Sequence, residues 1–376
     1  MRIAIDIRPL LRRPTGVGRY LIGLIEALSL LDEENAYLLF TSSLRDRFIE
    51  GSLRIGGNFE VRDFHLPVRL VNLLWHRLRF PPVETLLGRL DIAHSPSPLI
   101  MPTRKAKRII TLHDLYFLRH PELAYGEIRR DYIPLVRKSA VFAHSAISVS
   151  QFTKNEAVEL IGIPEEKVRV IPSGVSPHFF ERVDKGKIVQ VKRIFGIKGN
   201  YLIFVGGGEP RKNLPLALSA FRMFLGRTNF RFSLVVIGGL GRWEKEIMSE
   251  IDRLSLWDNV ILTGYVVDES LIPLYAGADA LLYPSRYEGF GFPMLEAMAV
   301  GTPVIASDTS SLPEIAGSAV VLLPPDDPEA WADAMYRLIF EPELRKELIK
   351  KGKERAREFS WEEAARKTLS LYRELI

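Results

Sequence analysis

Residues 201–225 read Tyr-Leu-Ile-Phe-Val-Gly-Gly-Gly-Glu-Pro-Arg-Lys-Asn-Leu-Pro-Leu-Ala-Leu-Ser-Ala-Phe-Arg-Met-Phe-Leu. Apolar residues run into three glycines, and an amphipathic helical stretch opens at Leu214. A strand, a tight loop and a helix in that order form the unit from which parallel sheets covered by helices are wound. The same unit recurs outward in both directions. In the first half the sequence predicts strands at Arg2–Ile7, Tyr37–Thr41, Phe59–Phe64, Asp91–His94, Arg108–Leu112, Ala146–Val149 and Val168–Ile171. The second half continues with Tyr201–Gly206, Phe232–Gly238, Val260–Thr263, Ala280–Tyr283, Pro303–Ser307 and Ala319–Leu322. Each half suffices for a doubly wound α/β domain, and 376 residues suit about two domains. Ile171–Val175 (IPSGV), with Pro177 and a polar stretch to Lys187, supplies the hinge, so the domains are expected at 1–172 and 173–360. Ser360 caps a last helix, Trp361–Leu375, with Glu363 completing a capping box. Ligands of two such domains belong at the carboxyl ends of the sheets, in a cleft between them.

Composition narrows the chemistry. Hydrophobic residues make up 47% and charged residues 26%, values of an ordinary globular protein. The absence of cysteine excludes disulfides, thiol nucleophiles and Cys-zinc sites, and it suits a reducing cytoplasm. Asp6 and Arg8 interrupt the apolar N-terminus too early for a signal peptide, and the run Ser139–Val149 is too short to span a bilayer. Residues 1–172 carry 25 Lys and Arg against 19 Asp and Glu, whereas residues 173–376 carry 26 against 27. The positive excess therefore lies in the first half, densest at Arg12–Arg13, Arg69–Phe80 and Arg104–Arg108. It reads as a solvated face, or as a contact for an anionic membrane surface or a phosphate-bearing partner. Within Leu66–Phe80, Leu70, Leu73, Leu74, Trp75 and Leu78 alternate with Arg69, Arg77 and Arg79, which fits either a core-facing helix or a membrane interface. Nucleic acid is not expected, since no long basic stripe or recognition motif is present.

Three loops concentrate functional residue types. Thr15–Tyr20 (TGVGRY) opens a helix to about Leu31, and Gly16 and Gly18 let a ligand approach the backbone. The loop Gly206–Asn213 places exposed glycines beside Arg211 and Lys212 at a helix N-terminus, a seat for phosphate. In both, the third glycine of a dinucleotide fingerprint is replaced, by Leu21 and by Arg211, which argues against a nicotinamide cofactor. The third segment, Tyr283–Met298 (YPSRYEGFGFPMLEAM), places Glu288 in a loop and Glu296 in the first turn of a helix begun by Pro293. Two ionised carboxylates around a glycine loop suit recognition of vicinal hydroxyls, since a carboxylate accepts from two OH groups. The plainer alternatives are a helix-dipole role for Glu296 and solvent for Glu288.

Glu288 and Glu296, with seven residues between them, within EGFGFPMLEAMAVGTPVIASDTSSLPEI, resemble the signature of retaining GT-B glycosyltransferases of family 4. The resemblance extends through TGVGRY, Thr111–Asp114, Val149–Phe152, the hinge PSGV, EPRKN and LTGYV, covering essentially the whole chain. IDIRPL, PTGVGRY and HDLYFLRHPE are most similar to the O-antigen mannosyltransferase branch. The resemblance implies two Rossmann-like domains facing each other across a cleft. The acceptor would lie on the first, the nucleotide sugar on the second, and helix 361–376 would pack back on the first. Glu288 would bind donor-sugar hydroxyls with backbone N–H groups of Gly289, Phe290 and Gly291. Glu296 would hold the ribose. Lys212 would neutralise the diphosphate, approached by Gly16 and Gly18, and His113 would reach the sugar from the other domain, oriented by Asp114. Many relatives carry Arg after the first glycine of the second loop, where this chain has Gly207, which leaves Arg211 to supply the second cation.

No Asp-x-Asp element occurs, and Asp326–Asp327 before Pro328 reads as a helix start, so neither metal nor cofactor is expected. Fixed cations and helix dipoles would stabilise the departing diphosphate. No covalent nucleophile is identifiable; by resemblance, the leaving phosphate would deprotonate the acceptor hydroxyl on the same face. The expectation is a cytoplasmic enzyme, with peripheral contact to the membrane, that moves mannose from GDP-mannose onto a growing lipid-linked glycan. A UDP-sugar transferase is the nearest alternative. A sugar-nucleotide epimerase and a non-catalytic glycan-binding subunit are further ones, disfavoured by Glu288 and Lys212.

Overall fold

The computed structural model describes residues 1–11, 15–49, 51–123 and 132–376. Arg12 and Arg13 lie outside the described residues. The chain divides into two compact units, Met1–Gly174 with Phe359–Ile376, and Val175–Glu358, so the first passage between units falls two residues after the expected boundary.

The first unit contains β1 (Arg2–Asp6), β2 (Ala36–Ser42), β3 (Phe59–Phe64), β4 (Ile92–Ser95), β5 (Lys107–Leu112), β6 (Ser145–Ser148) and β7 (Val168–Val170). They form one parallel sheet in the order β3-β2-β1-β4-β5-β6-β7. The second unit contains β8 (Asn200–Val205), β9 (Phe232–Ile237), β10 (Val260–Gly264), β11 (Ala280–Tyr283), β12 (Val304–Ser307) and β13 (Val321–Leu323). Its parallel order is β10-β9-β8-β11-β12-β13. All thirteen predicted strands are present, each with ends within two residues of the expected ones. Strand β9, buried at every position, shows why: a parallel strand covered on both faces reads as a nearly continuous apolar run, here Phe-Ser-Leu-Val-Val-Ile. In the second unit Phe204, Leu234 and Val236 pack with Phe221, Phe224 and Trp331 from flanking helices.

Both sheets reverse direction of winding once, between β1 and β4 and between β8 and β11. Loops at such a switch point splay to opposite faces and leave a crevice at the carboxyl edge. Residues 206–213 follow β8 and residues 284–291 follow β11, so the fold brings the two most chemically loaded loops of the second half side by side.

The last helix, Trp361–Glu374, belongs to the first unit, and Ser360 Oγ accepts the Glu363 N–H at 3.1 Å as its cap. It lies so close to the hinge that a Cβ at Gly174 would come within 2.2 Å of the Trp361 nitrogen, a position only glycine can fill. Asp327 Oδ1 likewise caps helix Pro328–Phe340 through the Ala330 N–H at 3.0 Å. The apolar run Ser139–Val149 is divided between the end of helix Ile133–Phe142 and β6. Leu66–Phe80 becomes a short α-turn, Val68–Asn72, and a π-helical turn, Leu73–Leu78, with one side in the core and one exposed. Val71 and Trp75 enter the core with Phe40, whereas Leu70, Leu73 and Leu78 stay exposed. Among the described residues no helix is long and apolar enough to cross a membrane.

Candidate active site

Chain geometry forces Lys212 and Glu288 together. After β8 the chain makes a 3-10 turn, Pro210–Lys212, and Asn213 then takes a left-handed conformation at φ 58° to start helix Leu214–Leu225. Its side-chain amide donates to the Pro325 carbonyl at 2.7 Å, which pins this turn. The Arg286 N–H donates to the Arg211 carbonyl at 2.7 Å and ties the loop after β11 to it. Glu288 is fixed in turn, with its N–H donating to Ser310 Oγ at 2.9 Å and its carbonyl accepting from Ser311 Oγ at 2.9 Å.

The Glu288 carboxylate, 6% exposed, receives two cations: Lys212 Nζ donates to Oε1 at 2.6 Å and Arg211 Nη1 to Oε2 at 3.1 Å. Arg211 Nε also donates to Glu209 Oε2 at 2.8 Å. Burial alone would raise the Glu288 pKa, but Lys212 and Arg211 outweigh it and hold it at about 2. Burial shifts Lys212 downward despite Glu288. Arg211 thus stands beside Lys212 on one carboxylate, and the solvent-facing alternative for Glu288 does not hold. A diphosphate can exchange for the carboxylate on the same donors, since both are oxyanions that accept charge-assisted hydrogen bonds.

The glycines of the second loop serve a purpose that the sequence did not disclose. A Cβ at Gly207 would stand 2.6 Å from the Gly239 carbonyl oxygen, and one at Gly208 2.7 Å from that of Leu240. They are small because two backbone segments touch. The same contact leaves no room in this conformation for an arginine at 207.

Glu296 is corrected in position. The helix runs Phe292–Val300 with Gly291 as its N-cap at φ 97°, so Glu296 is its fifth residue, beyond the first turn, where the helix dipole has largely faded. Glu296 is buried, and Tyr275 OH donates to its Oε2 at 3.3 Å. Gly289, Phe290 and Gly291 form the turn between the two glutamates, with the Phe290 ring buried edge-on to Phe292 at 5.1 Å.

In the first unit, Gly16 and Gly18 occupy the first turn of helix Gly16–Leu31, whose leading amides have no intrahelical acceptor. His113 follows β5. Its Nε2 lies 3.1 Å from the Pro96 carbonyl oxygen, and the Tyr20 ring packs edge-on at 4.7 Å. Burial lowers its pKa to about 4, so at neutral pH the ring is uncharged, with the proton on Nε2 for that carbonyl. Asp114 Oδ1 accepts from the Tyr116 N–H at 3.3 Å. Behind His113 lies a buried chain that sequence reading missed: Tyr20 OH meets Thr111 Oγ1 at 3.2 Å, Thr111 Oγ1 meets His94 Nε2 at 2.8 Å, and His94 Nδ1 meets Tyr372 OH at 2.6 Å. His94 sits inside a strand, where nothing in the local pattern marks it. Among the described residues no group of three or more His, Asp or Glu side chains is placed to hold a metal ion.

Comparison with known proteins bears on this geometry. The family profile described as glycosyl transferases group 1 matches residues 189–355, and that of glycosyltransferase family 4 matches residues 14–179. The chain belongs to the family 4 glycosyltransferases. O-antigen chain mannosyltransferase B of Escherichia coli is 27% identical over 99% of this chain and 100% of its own length. The fold of this glycosyltransferase is shared by sucrose-phosphate synthase of Thermosynechococcus elongatus, with a TM-score of 0.80 at 21% identity over 100% of this chain and 98% of that one. It is shared too by the Anabaena protein HepE, whose structure is a complex with UDP-glucose, with a TM-score of 0.74 at 17% identity over 99% and 100%. Both are GT-B proteins, and the two parallel α/β units described above are that fold.

Proposed function

We propose that this glycosyltransferase moves mannose from GDP-mannose, with retention at the anomeric carbon, onto a growing lipid-linked glycan of the O-antigen type. The end-to-end likeness to O-antigen chain mannosyltransferase B carries the reading. The Lys212–Glu288–Arg211 cluster supplies its chemistry. On donor binding, the diphosphate takes the Lys212 and Arg211 donors, and Glu288, released from them, accepts from sugar hydroxyls. As the glycosidic bond to phosphate breaks, negative charge grows on the leaving oxygen, where preorganised cations in a partly desolvated site stabilise it most. The leaving phosphate takes the acceptor hydroxyl proton on the face it departs from, which gives retention. Glu296 holds the ribose, and His113, uncharged, contacts the sugar. Neither metal nor cofactor takes part. The first unit, with its positive excess, receives the acceptor at the cytoplasmic face of the membrane.

A UDP-sugar donor is the second reading, favoured by the UDP-glucose complex of the HepE neighbour. Thermal shift against GDP, UDP and ADP separates the two, because a ligand at 100 times its dissociation constant stabilises by about 2.7 kcal/mol. GDP is expected to give the largest rise and UDP little. Transfer from GDP-mannose, with the product linkage assigned by NMR, is expected to show retention and to survive excess EDTA. A larger shift with UDP, or strict dependence on added Mg²⁺, overturns the corresponding part of this reading.

A further inference from the structure

In the first unit a groove of about 780 Å³ opens between the turn His76–Arg79 and helix Ile133–Phe142. His76, Arg77, Arg79, Leu135, Lys138 and Phe142 line it, and among the described residues no acidic side chain does. Arg79 is presented in an unusual way. It ends the π-helical turn in a left-handed conformation at φ 54°, which costs an ordinary side chain about 1–2 kcal/mol. Its guanidinium carbon stands 3.7 Å from the centre of the Phe142 ring. Stacking of this kind holds the guanidinium plane and leaves its edge N–H donors for an oxyanion. Among the described residues neither Arg79 nor Lys138 has an ion pair.

Among the described residues the surroundings do not neutralise this charge. Burial, and then the charge of Arg79, hold the nearby Arg108 below the ordinary arginine range. Glu84 opposes the charge of Arg108, and its Oε1 already accepts the backbone N–H groups of Arg104, Lys105 and Ala106 at 2.8, 3.0 and 3.2 Å. His76 adds no charge at neutral pH, since burial lowers it to about 4. Apolar side chains beside the groove residues in the chain stand in open water: Leu78 and Phe80, which flank Arg79, are each 64% exposed, and Val141, next to Phe142, 75%. A nucleic acid or phosphopeptide would satisfy the cations and leave that apolar rim wet. An amphiphile satisfies both.

We propose that this groove seats the phosphate head of a membrane lipid, with Arg79 and Lys138 on the phosphate and Leu78, Phe80 and Val141 against the start of the lipid chain. Its volume accommodates a phosphate or diphosphate head with the first part of its chain. The site refines the membrane contact proposed above, and its test involves neither donor nor transfer, so a failed transferase assay leaves it standing.

The test is co-sedimentation of the full chain with phosphatidylcholine vesicles containing either phosphatidic acid, whose head is a phosphomonoester, or phosphatidylserine at matched surface charge. Wild type is expected to bind the phosphatidic acid vesicles more tightly. The pair Arg79→Gln with Lys138→Gln is expected to lose about 30-fold of that affinity at an unchanged thermal midpoint. Leu78→Ser with Val141→Ser is expected to weaken vesicle binding while leaving the binding of soluble inorganic diphosphate intact. Lys138→Gln alone, at an exposed helix position, carries the test if the Arg79 variant misfolds. Equal binding to the two vesicle types, or a folded double variant that binds like wild type, overturns the proposal. Binding of inorganic diphosphate through Arg79 and Lys138 without vesicle binding assigns the groove to a water-soluble phosphate and overturns the lipid.

Discussion

Glu288 holds two cations in a site largely shut from water, so what happens when it is altered depends on what is left behind. Glu288→Ala would strand Lys212, while Arg211 keeps Glu209, and an unpaired buried charge costs about 3–5 kcal/mol, so lost activity would be mixed with lost fold. Glu288→Gln keeps the shape and an acceptor oxygen while removing the charge, and Lys212→Met keeps the apolar stem that packs on Gly206. Each is expected to lower the transfer rate roughly 30- to 1000-fold, about 2–4 kcal/mol of transition-state stabilisation. Lys212→Met should also weaken nucleoside diphosphate binding measured by calorimetry. Near-normal turnover by either would remove this cluster from the chemistry. These residues could be read from sequence because each sits in a glycine-flanked loop at the end of a strand, where side chains are released from packing. His94 could not, since its partners Thr111 and Tyr372 lie 17 and 278 positions away and only the folded chain assembles them. Nor could the reason for Gly207, because a contact between two backbones leaves no side-chain signature.

The elements that were legible are those whose signal is local. Parallel strands announce themselves by burial on both faces and helices by their caps, as at Ser360 and Asp327. The π-helical turns Leu73–Leu78 and Ala157–Ile161 had no such signal, since one inserted residue in a helical period is set by what packs around it. The last helix is where sequence order and spatial order part. It closes the first unit through Trp361 on Tyr20, at 5.9 Å between rings, and through Tyr372 on His94. Truncation after Glu358 should therefore destabilise the unit that is farthest away in sequence. In differential scanning calorimetry the transition of Met1–Gly174 is expected to fall by many degrees or vanish, while that of Val175–Glu358 persists. A milder test is Gly174→Ala, whose methyl would meet backbone atoms that cannot turn aside, at a cost of about 1–3 kcal/mol as for other overpacked sites. Loss of the second transition with the first one intact would contradict this division.

At the scale of the whole molecule the two units differ in how they meet acid. His76, His94 and His113 all lie in the first unit, where burial lowers them to about 4, 3 and 4. The unfolded chain binds protons on these rings near pH 6.5 while the folded unit refuses them, so stability falls as pH drops below 6.5 and the loss saturates only near pH 3–4. With three rings, the slope approaches about 4 kcal/mol per pH unit in the middle of that window. In the second unit Glu288 acts in the same direction but in a lower window: its pKa of about 2 lies below the unfolded 4.5, so its contribution is complete above pH 4.5 and is lost only between there and 2. The first unit should consequently unfold first as pH is lowered from 6.5 to 4.5. Tryptophan distribution makes this visible, with Trp75 and Trp361 in the first unit and Trp243, Trp257 and Trp331 in the second. Variants that keep tryptophan in one unit only are expected to report an earlier fluorescence midpoint, by a pH unit or so, from Trp75 and Trp361. His94→Asn, which removes the most strongly depressed ring, should flatten the acid limb of the first unit and leave that of the second unchanged. Coincident midpoints, or a second unit that unfolds first, would show that these rings are not what sets the acid limit.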